Sequence, residues 1–189
     1  DLSNSTIDVL DGIEKITGKK PDFEKFSLLD RERVRAIFDK YKIDAVLHFA
    51  ALKAVAESVQ KPRLYYRNNL LSLLNLIDSM RESGCAHLVF SSSCTVYGQP
   101  EVLPVTEDTP RKPAETPYGN TKAVCEDILR DSVAADGDLK VISLRYFNPI
   151  GAHDSGLIGE LPQGIPNNLV PYITQTAAGI REELCIFGD

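Results

Sequence analysis

The 189-residue sequence predicts an α/β chain built on a doubly wound parallel sheet. Three observations lead there. Strand-like apolar segments alternate with helical amphipathic ones in the order strand, helix, strand, helix, strand, the pattern of βαβ units. The strand-like runs are continuously apolar rather than alternating, which suits strands covered on both faces. Each run also ends in small or polar residues, at the carboxyl ends where such sheets hold ligands. Those ends are "FAALK" (49–53), "SSSCTVYG" (91–98) and "RYFNPIGAH" (145–153).

In chain order, "FEKFSLL" (23–29) reads as a short strand. "DRERVRAIFDKYK" (30–42) spaces Val34, Ile37 and Phe38 at helical intervals behind Asp30 as N-cap. "DAVLHFAA" (44–51) reads as a buried strand, and 64–84 as a long helix stopped by Gly84. "HLVFSSS" (87–93) is a second strand, followed by a Pro-rich loop over 98–117. Thr116-Pro117 is a cap followed by a proline at the first helical position, opening a helix that runs to Asp136 and ends at Gly137. "KVISLRYFN" (140–148) is the third strong strand. The texture then turns rich in Gly, Pro and Asn over 149–172, with a helix over 168–179 and an apolar "LCIF" at 184–187. This divides the chain into a partial sheet domain (1–148) and the start of a smaller one (149–189).

Composition bounds the function. At 43% hydrophobic and 25% charged the chain is of ordinary globular type. A net charge of -6 argues against a nucleic-acid module, which shows a basic face. No apolar run reaches membrane-span length. Cys85, Cys94, Cys125 and Cys185 form no metal-binding spacing, so no metal is expected and reduced thiols in a cytoplasmic protein are. The chain opens at "DLSNS" without methionine and stops at "CIFGD", which predicts a piece of a longer protein.

"YGNTK" places Tyr118 and Lys122 four residues apart, on one face of a helix. A phenol with a reference pKa of about 10 is a poor base at neutral pH, and a nearby ammonium favours its ionised form. Ser93, at the end of the preceding strand, supplies a hydroxyl to complete a proton path. Taken alone a Y-x-x-x-K pair is weak, since many helices carry a solvated Tyr and Lys at this spacing. Behind a strand ending in three serines it reads as chemistry.

With these residues in place, the chain resembles the extended short-chain dehydrogenase/reductase family, at its branch that epimerises UDP-hexoses. The resemblance runs over essentially the whole chain. It is carried jointly by "HFAALKAVAESVQKP" (48–62), "FSSSCTVYG" (90–98), "PYGNTK" (117–122), "LRYFNPIGAHDSG" (144–156) and "GIPNNLVPYITQ" (164–175). It implies an NAD-binding Rossmann-type sheet, incomplete here, and the start of a UDP-sugar-binding domain. The implied reaction oxidises C4 of UDP-glucose or UDP-galactose to a 4-keto sugar and returns the hydride to the opposite face.

The resemblance also implies roles, residue by residue. Tyr118 matches the catalytic base, Lys122 the lysine at the nicotinamide ribose, and Ser93 the hydroxyl at the sugar 4-OH. Asp1, Leu2, Ser3 and Asn4 match the segment at the adenosine ribose, and Ser27 and Leu28 the segment at the adenine. Phe49, Lys53 and Asn69 match further cofactor contacts, and Tyr146 and Phe147 lie where the nicotinamide and sugar meet. Cys94, Thr95, Asn148, Asn167, Asn168, Leu169, Cys185, Ile186 and Phe187 match the UDP-sugar site. Asn168 opens a helix whose free N–H groups suit a diphosphate. The family pairs two helices per subunit into a homodimer, here those over 64–83 and 117–136, through apolar positions such as Leu71, Leu74, Ile128 and Val133. His48 reads as structural, and His153 is assigned no role.

The departures are informative. Gly12 and Gly18 do not rebuild the Gly-rich phosphate loop, so this chain alone should bind NAD poorly. Ser27 stands where the family has an Asp, Ala51 and Ala56 replace glycines, and Cys94 replaces an alanine. A sugar-nucleotide dehydratase needs an acid pair after the catalytic hydroxyl, and Cys94 and Thr95 supply none. Another NAD-dependent nucleotide-sugar epimerase, or a non-catalytic protein that keeps the fold, are the competing readings. The intact Ser93, Tyr118 and Lys122 argue against the second.

Overall fold

A computed structural model describes residues 1–161, 164, 166 and 168–185. Its elements in order are α1 (Val9–Thr17), α2 (Arg31–Lys40), β1 (Ala45–His48), α3 (Val55–Gln60), α4 (Pro62–Ser83) and β2 (His87–Ser91). A 3-10 turn (Cys94–Tyr97), α5 (Pro117–Ala135), β3 (Lys140–Leu144) and α6 (Leu169–Ala177) follow. The strands form one parallel sheet in the order β1-β2-β3, with Leu47 opposite Val89 and Val89 opposite Ile142.

The contacts divide the chain into two units, residues 26–148 and residues 1–25 with 149–189. Residues 26–148 hold the sheet. Val34 of α2, Leu73, Leu76 and Met80 of α4, and Cys125 and Leu129 of α5 close over Leu88 and Phe90 of β2. Local signals end these helices as expected. Asp30 accepts a hydrogen bond from Arg33 N, and Gly84 takes the left-handed conformation at φ 73° that only glycine adopts without strain.

Two expectations are corrected. Residues 23–29 form no strand: Ser27 O accepts from Asp30 N in a turn that feeds α2, and Leu28 O accepts from Asn75 Nδ2 at 2.9 Å instead of a strand amide. Phe26 and Leu28 satisfy their apolar character by packing on the core. The strands are also not buried on both faces. Their other face is open, with Leu47 64% and Ile142 60% exposed.

In the other unit, Gly12 of α1 lies against the 157–158 segment. A Cβ there would come within 2.8 Å of Leu157 O and 2.7 Å of Ile158 Cγ2, so this glycine serves close packing. Asn168 stands at the N-terminus of α6, and its side-chain amide donates to Glu160 at 2.6 Å rather than capping the helix.

Candidate functional site

The site is built where β2 ends and α5 begins. Thr116 Oγ1 accepts from Gly119 N at 3.2 Å and Pro117 takes the first helical position, which fixes the start of α5. Tyr118, Lys122 and Glu126 then follow at four-residue spacing along one line of the helix. β2 stops at Ser91, short of the expected Ser93, because a turn takes over. Ser93 is extended and caps the 3-10 turn, its Oγ accepting from Thr95 N at 3.3 Å and from Thr95 Oγ1 at 3.0 Å. The hydroxyl-rich stretch is thus both a strand end and a turn.

Gly119 brings the two pieces together. A Cβ at this position would meet Thr95 Cβ at 3.2 Å and Thr95 Oγ1 at 3.3 Å, so the missing side chain lets the first turn of α5 lie on the 3-10 turn. Burial pushes the Tyr118 phenol above its ordinary value, while the hydrogen bond with Ser93 pulls against that rise and neighbouring Cys94 adds to it. The group that lowers the phenol is Ser93, whereas the sequence pointed to Lys122.

Lys122 is only 4% exposed. Its Nζ donates to Ser91 O at 2.6 Å and stands 4.9 Å from the centre of the Phe90 ring. Burial pulls its pKa down to about 8. His48 is buried with its ring 5.9 Å from that of Phe90. Burial, helped by the Lys122 charge, brings the His48 pKa down to about 4, so the imidazole is neutral at pH 7. Cys125 is pushed up to about 12, chiefly by burial, and is an inert thiol.

The three strand ends meet here. Cys94 N donates to Tyr146 O at 2.8 Å, and the Phe49 and Tyr146 rings stand 6.3 Å apart. Asn69 holds the loop after β1: it accepts from Leu52 N at 2.9 Å and donates to Leu52 O and Thr121 Oγ1, both at 3.0 Å. Lys53, Phe147 and Asn148 are exposed, and Ser27 and Leu28 enter α2. In the other unit, Asp1 accepts from Ser3 N at 3.0 Å beside Leu2 and the exposed Asn4, Leu169 begins α6, and Cys185 is exposed. Asn167, Ile186 and Phe187 lie outside the described residues.

Sequence reading missed a charged cluster behind the site. Glu126 accepts from Ser92 Oγ at 2.5 Å, from Arg145 Nε at 3.0 Å and Nη2 at 2.8 Å, and from Arg111 Nη1 at 3.4 Å. Burial pushes its carboxyl up, but the Arg145 and Ser92 hydrogen bonds and the two guanidinium charges hold it below the ordinary value. Two signals were available. Glu126 continues the Tyr118–Lys122 spacing by one more turn, and Arg145 is a charge at the end of an apolar strand, which calls for a partner.

A parallel sheet with Ser93, Tyr118 and Lys122 placed where β2 ends and α5 begins defines a Rossmann-type class. The NAD dependent epimerase/dehydratase family matches residues 3–189, and the chain belongs to that family. It is 53% identical over 188 residues to the UDP-glucose 4-epimerase of Bacillus subtilis, covering all of this chain and 55% of that protein. Among solved structures it resembles the UDP-glucose 4-epimerase of Bifidobacterium longum in complex with NAD+ and UDP, at a TM-score of 0.93 and 47% identity over 95% of this chain and 54% of that one. It also resembles the Stenotrophomonas maltophila enzyme with bound NAD and formylated UDP-arabinopyranose, at 0.94 and 49% over 100% and 56%. The chain spans about half the length of the curated relatives it matches.

Proposed function

We propose that the protein carrying this chain interconverts UDP-glucose and UDP-galactose by inverting C4 of the hexose with NAD bound. The observation that carries the reading is the start of α5, bearing Tyr118 and the buried Lys122, packed through Gly119 on the turn that Ser93 caps. The residues fit the cofactor: an ammonium has three donors, and the bond from Lys122 to Ser91 O leaves two for the hydroxyls of a ribose. When bound, NAD supplies the acceptor for the C4 hydride and its return. Tyr118, as the phenolate that a neighbouring ammonium favours, takes the 4-OH proton as the hydride leaves, giving the 4-keto sugar. Ser93 holds the sugar oxygen and the phenol in line. After the keto sugar turns over, Tyr118 gives the proton back to the 4-oxygen as the hydride re-enters from the other face.

On this reading residues 1–148 are the cofactor side, and 149–189 begin the sugar-nucleotide side. Leu71, Leu74 and Val133 are exposed on α4 and α5, which supports pairing with a second copy through these helices, whereas Ile128 packs on the core. Among the described residues no helix is long and apolar enough to cross a membrane.

The test uses the full-length protein with UDP-galactose, coupled to UDP-glucose dehydrogenase. Turnover is expected, and Tyr118→Phe should lower kcat by about a thousandfold or more while NAD stays bound. No turnover from folded, NAD-loaded protein would sink the reading, and an active Tyr118→Phe variant would remove Tyr118 from it.

A further inference from the structure

We propose that Ser92, Glu126 and Arg145 form a positioning device that sets the distance between Ser93 and Tyr118; this rests on the function just given. The three residues come from the three segments that bear the site. Ser92 precedes Ser93, Glu126 lies two turns beyond Tyr118 on α5, and Arg145 precedes Tyr146 after β3. Glu126 joins them as a single node. Its Oε1 accepts from Ser92 and Arg145 Nε, and its Oε2 from Arg145 Nη2 and Arg111 Nη1. All four acceptor positions of the carboxylate are filled, so it has one orientation.

The 3-10 turn is thereby gripped at both ends. Ser92, just before it, is held by Glu126, and Tyr97, its last residue, lies under the Arg145 guanidinium at 4.8 Å. Glu126 is only 9% exposed. A buried ion pair contributes little net stability relative to an apolar replacement, and its best-attested use is to fix register. Here the register fixed is that of the Ser93 turn against α5. A displacement of about 1 Å between reacting groups costs about a hundredfold in rate.

Ser92→Ala and Glu126→Gln in the full-length protein test this. Each should lower kcat by about tenfold to a hundredfold with KM within about threefold, and the double variant should be no worse than Glu126→Gln alone. A readout independent of turnover is the labelling rate of Cys94, which sits in the turn, followed by mass spectrometry. It should rise about fivefold or more in both folded variants. Should Glu126→Gln fail to fold, Ser92→Ala carries the test, because it leaves the Glu126–Arg145 pair intact. Unchanged kcat, a loss borne by KM instead, additive effects in the double variant, or unchanged Cys94 labelling would each overturn the proposal. Failure of the wild-type protein to turn over UDP-galactose sinks the proposed function instead, and the Cys94 labelling then decides this one.

Discussion

The two long helices, α4 and α5, pack on each other and on the same face of the sheet, yet they bury different chemistry. The buried line of α4 centres on Leu73, Leu76 and Met80, and its Ser72 and Ser79 hydroxyls donate to carbonyls of the same helix, Asn69 O at 3.2 Å and Asn75 O at 2.9 Å. The buried line of α5 carries Thr121, Lys122 and Glu126, and the last two reach across to Ser91, Ser92 and Arg145. α4 keeps its buried serine hydroxyls on itself and turns amides, those of Asn69 and Asn75, to the loops at Leu52 and Leu28. α5 uses its Lys122 and Glu126 to tie two strand ends, those of β2 and β3, into a fixed arrangement. Burial of a charge costs free energy unless it is paired, so a helix that buries a lysine and a glutamate does so for placement.

Lys122→Met is the strongest way to break this contrast. It keeps the stem and removes the charge. If α5 is the chemical helix, kcat should fall about a hundredfold to ten-thousandfold, with the folded protein at least as stable as the wild type at pH 7. The stability follows from the pKa: Lys122 titrates near 8 when folded against about 10.5 unfolded, so the buried charge opposes folding below pH 8 and the opposition fades as pH rises towards 10.5. Steady-state kinetics beside urea unfolding would check both halves, and loss of stability without loss of kcat would erase the distinction between the helices.

Leu73→Ala is the counterpart on α4. Leu73 is fully buried in the core cluster, and truncation should destabilise by about 2–5 kcal/mol. Activity measured well below the melting temperature should stay within about twofold, since no group of the site leans on it. A large fall in kcat there would mean that the apolar line of α4 also shapes the site.

The same contrast explains what could be read from the sequence. Caps and periodicity are local, so Asp30, Gly84 and the Thr116-Pro117 start marked α2, α4 and α5 to within a residue or two. The Tyr118–Lys122 spacing is local as well, and it pointed to α5. What escaped depends on partners distant in sequence. The segment at 23–29 looks like a strand until Asn75, 47 residues further on, takes the Leu28 carbonyl. Gly119 looks like an ordinary helical glycine until Thr95 lies 3.2 Å from where its Cβ would be. The short helices α1 and α3 escaped because neither has a capping side chain to announce it.

The smallest expected effect at pH 7 comes from His48, whose ring stands by Phe90 as the Lys122 ammonium does. Its pKa of about 4 in the folded protein, against about 6.5 unfolded, means that the unfolded chain takes up a proton first as pH falls. Above pH 6.5 both states are neutral and the residue adds no pH dependence. Between 6.5 and 4 the folded state loses up to roughly 3 kcal/mol from this one group. His48→Gln removes the titration, so its urea midpoint should fall less than that of the wild type over this range. Parallel midpoints would show that folding does not lower the His48 pKa. In Lys122→Met the acid loss should persist but shrink, because burial is the larger cause and the lysine charge the smaller. An acid loss in Lys122→Met as large as in the wild type would uncouple the strand from α5 and leave burial alone to account for the neutral imidazole.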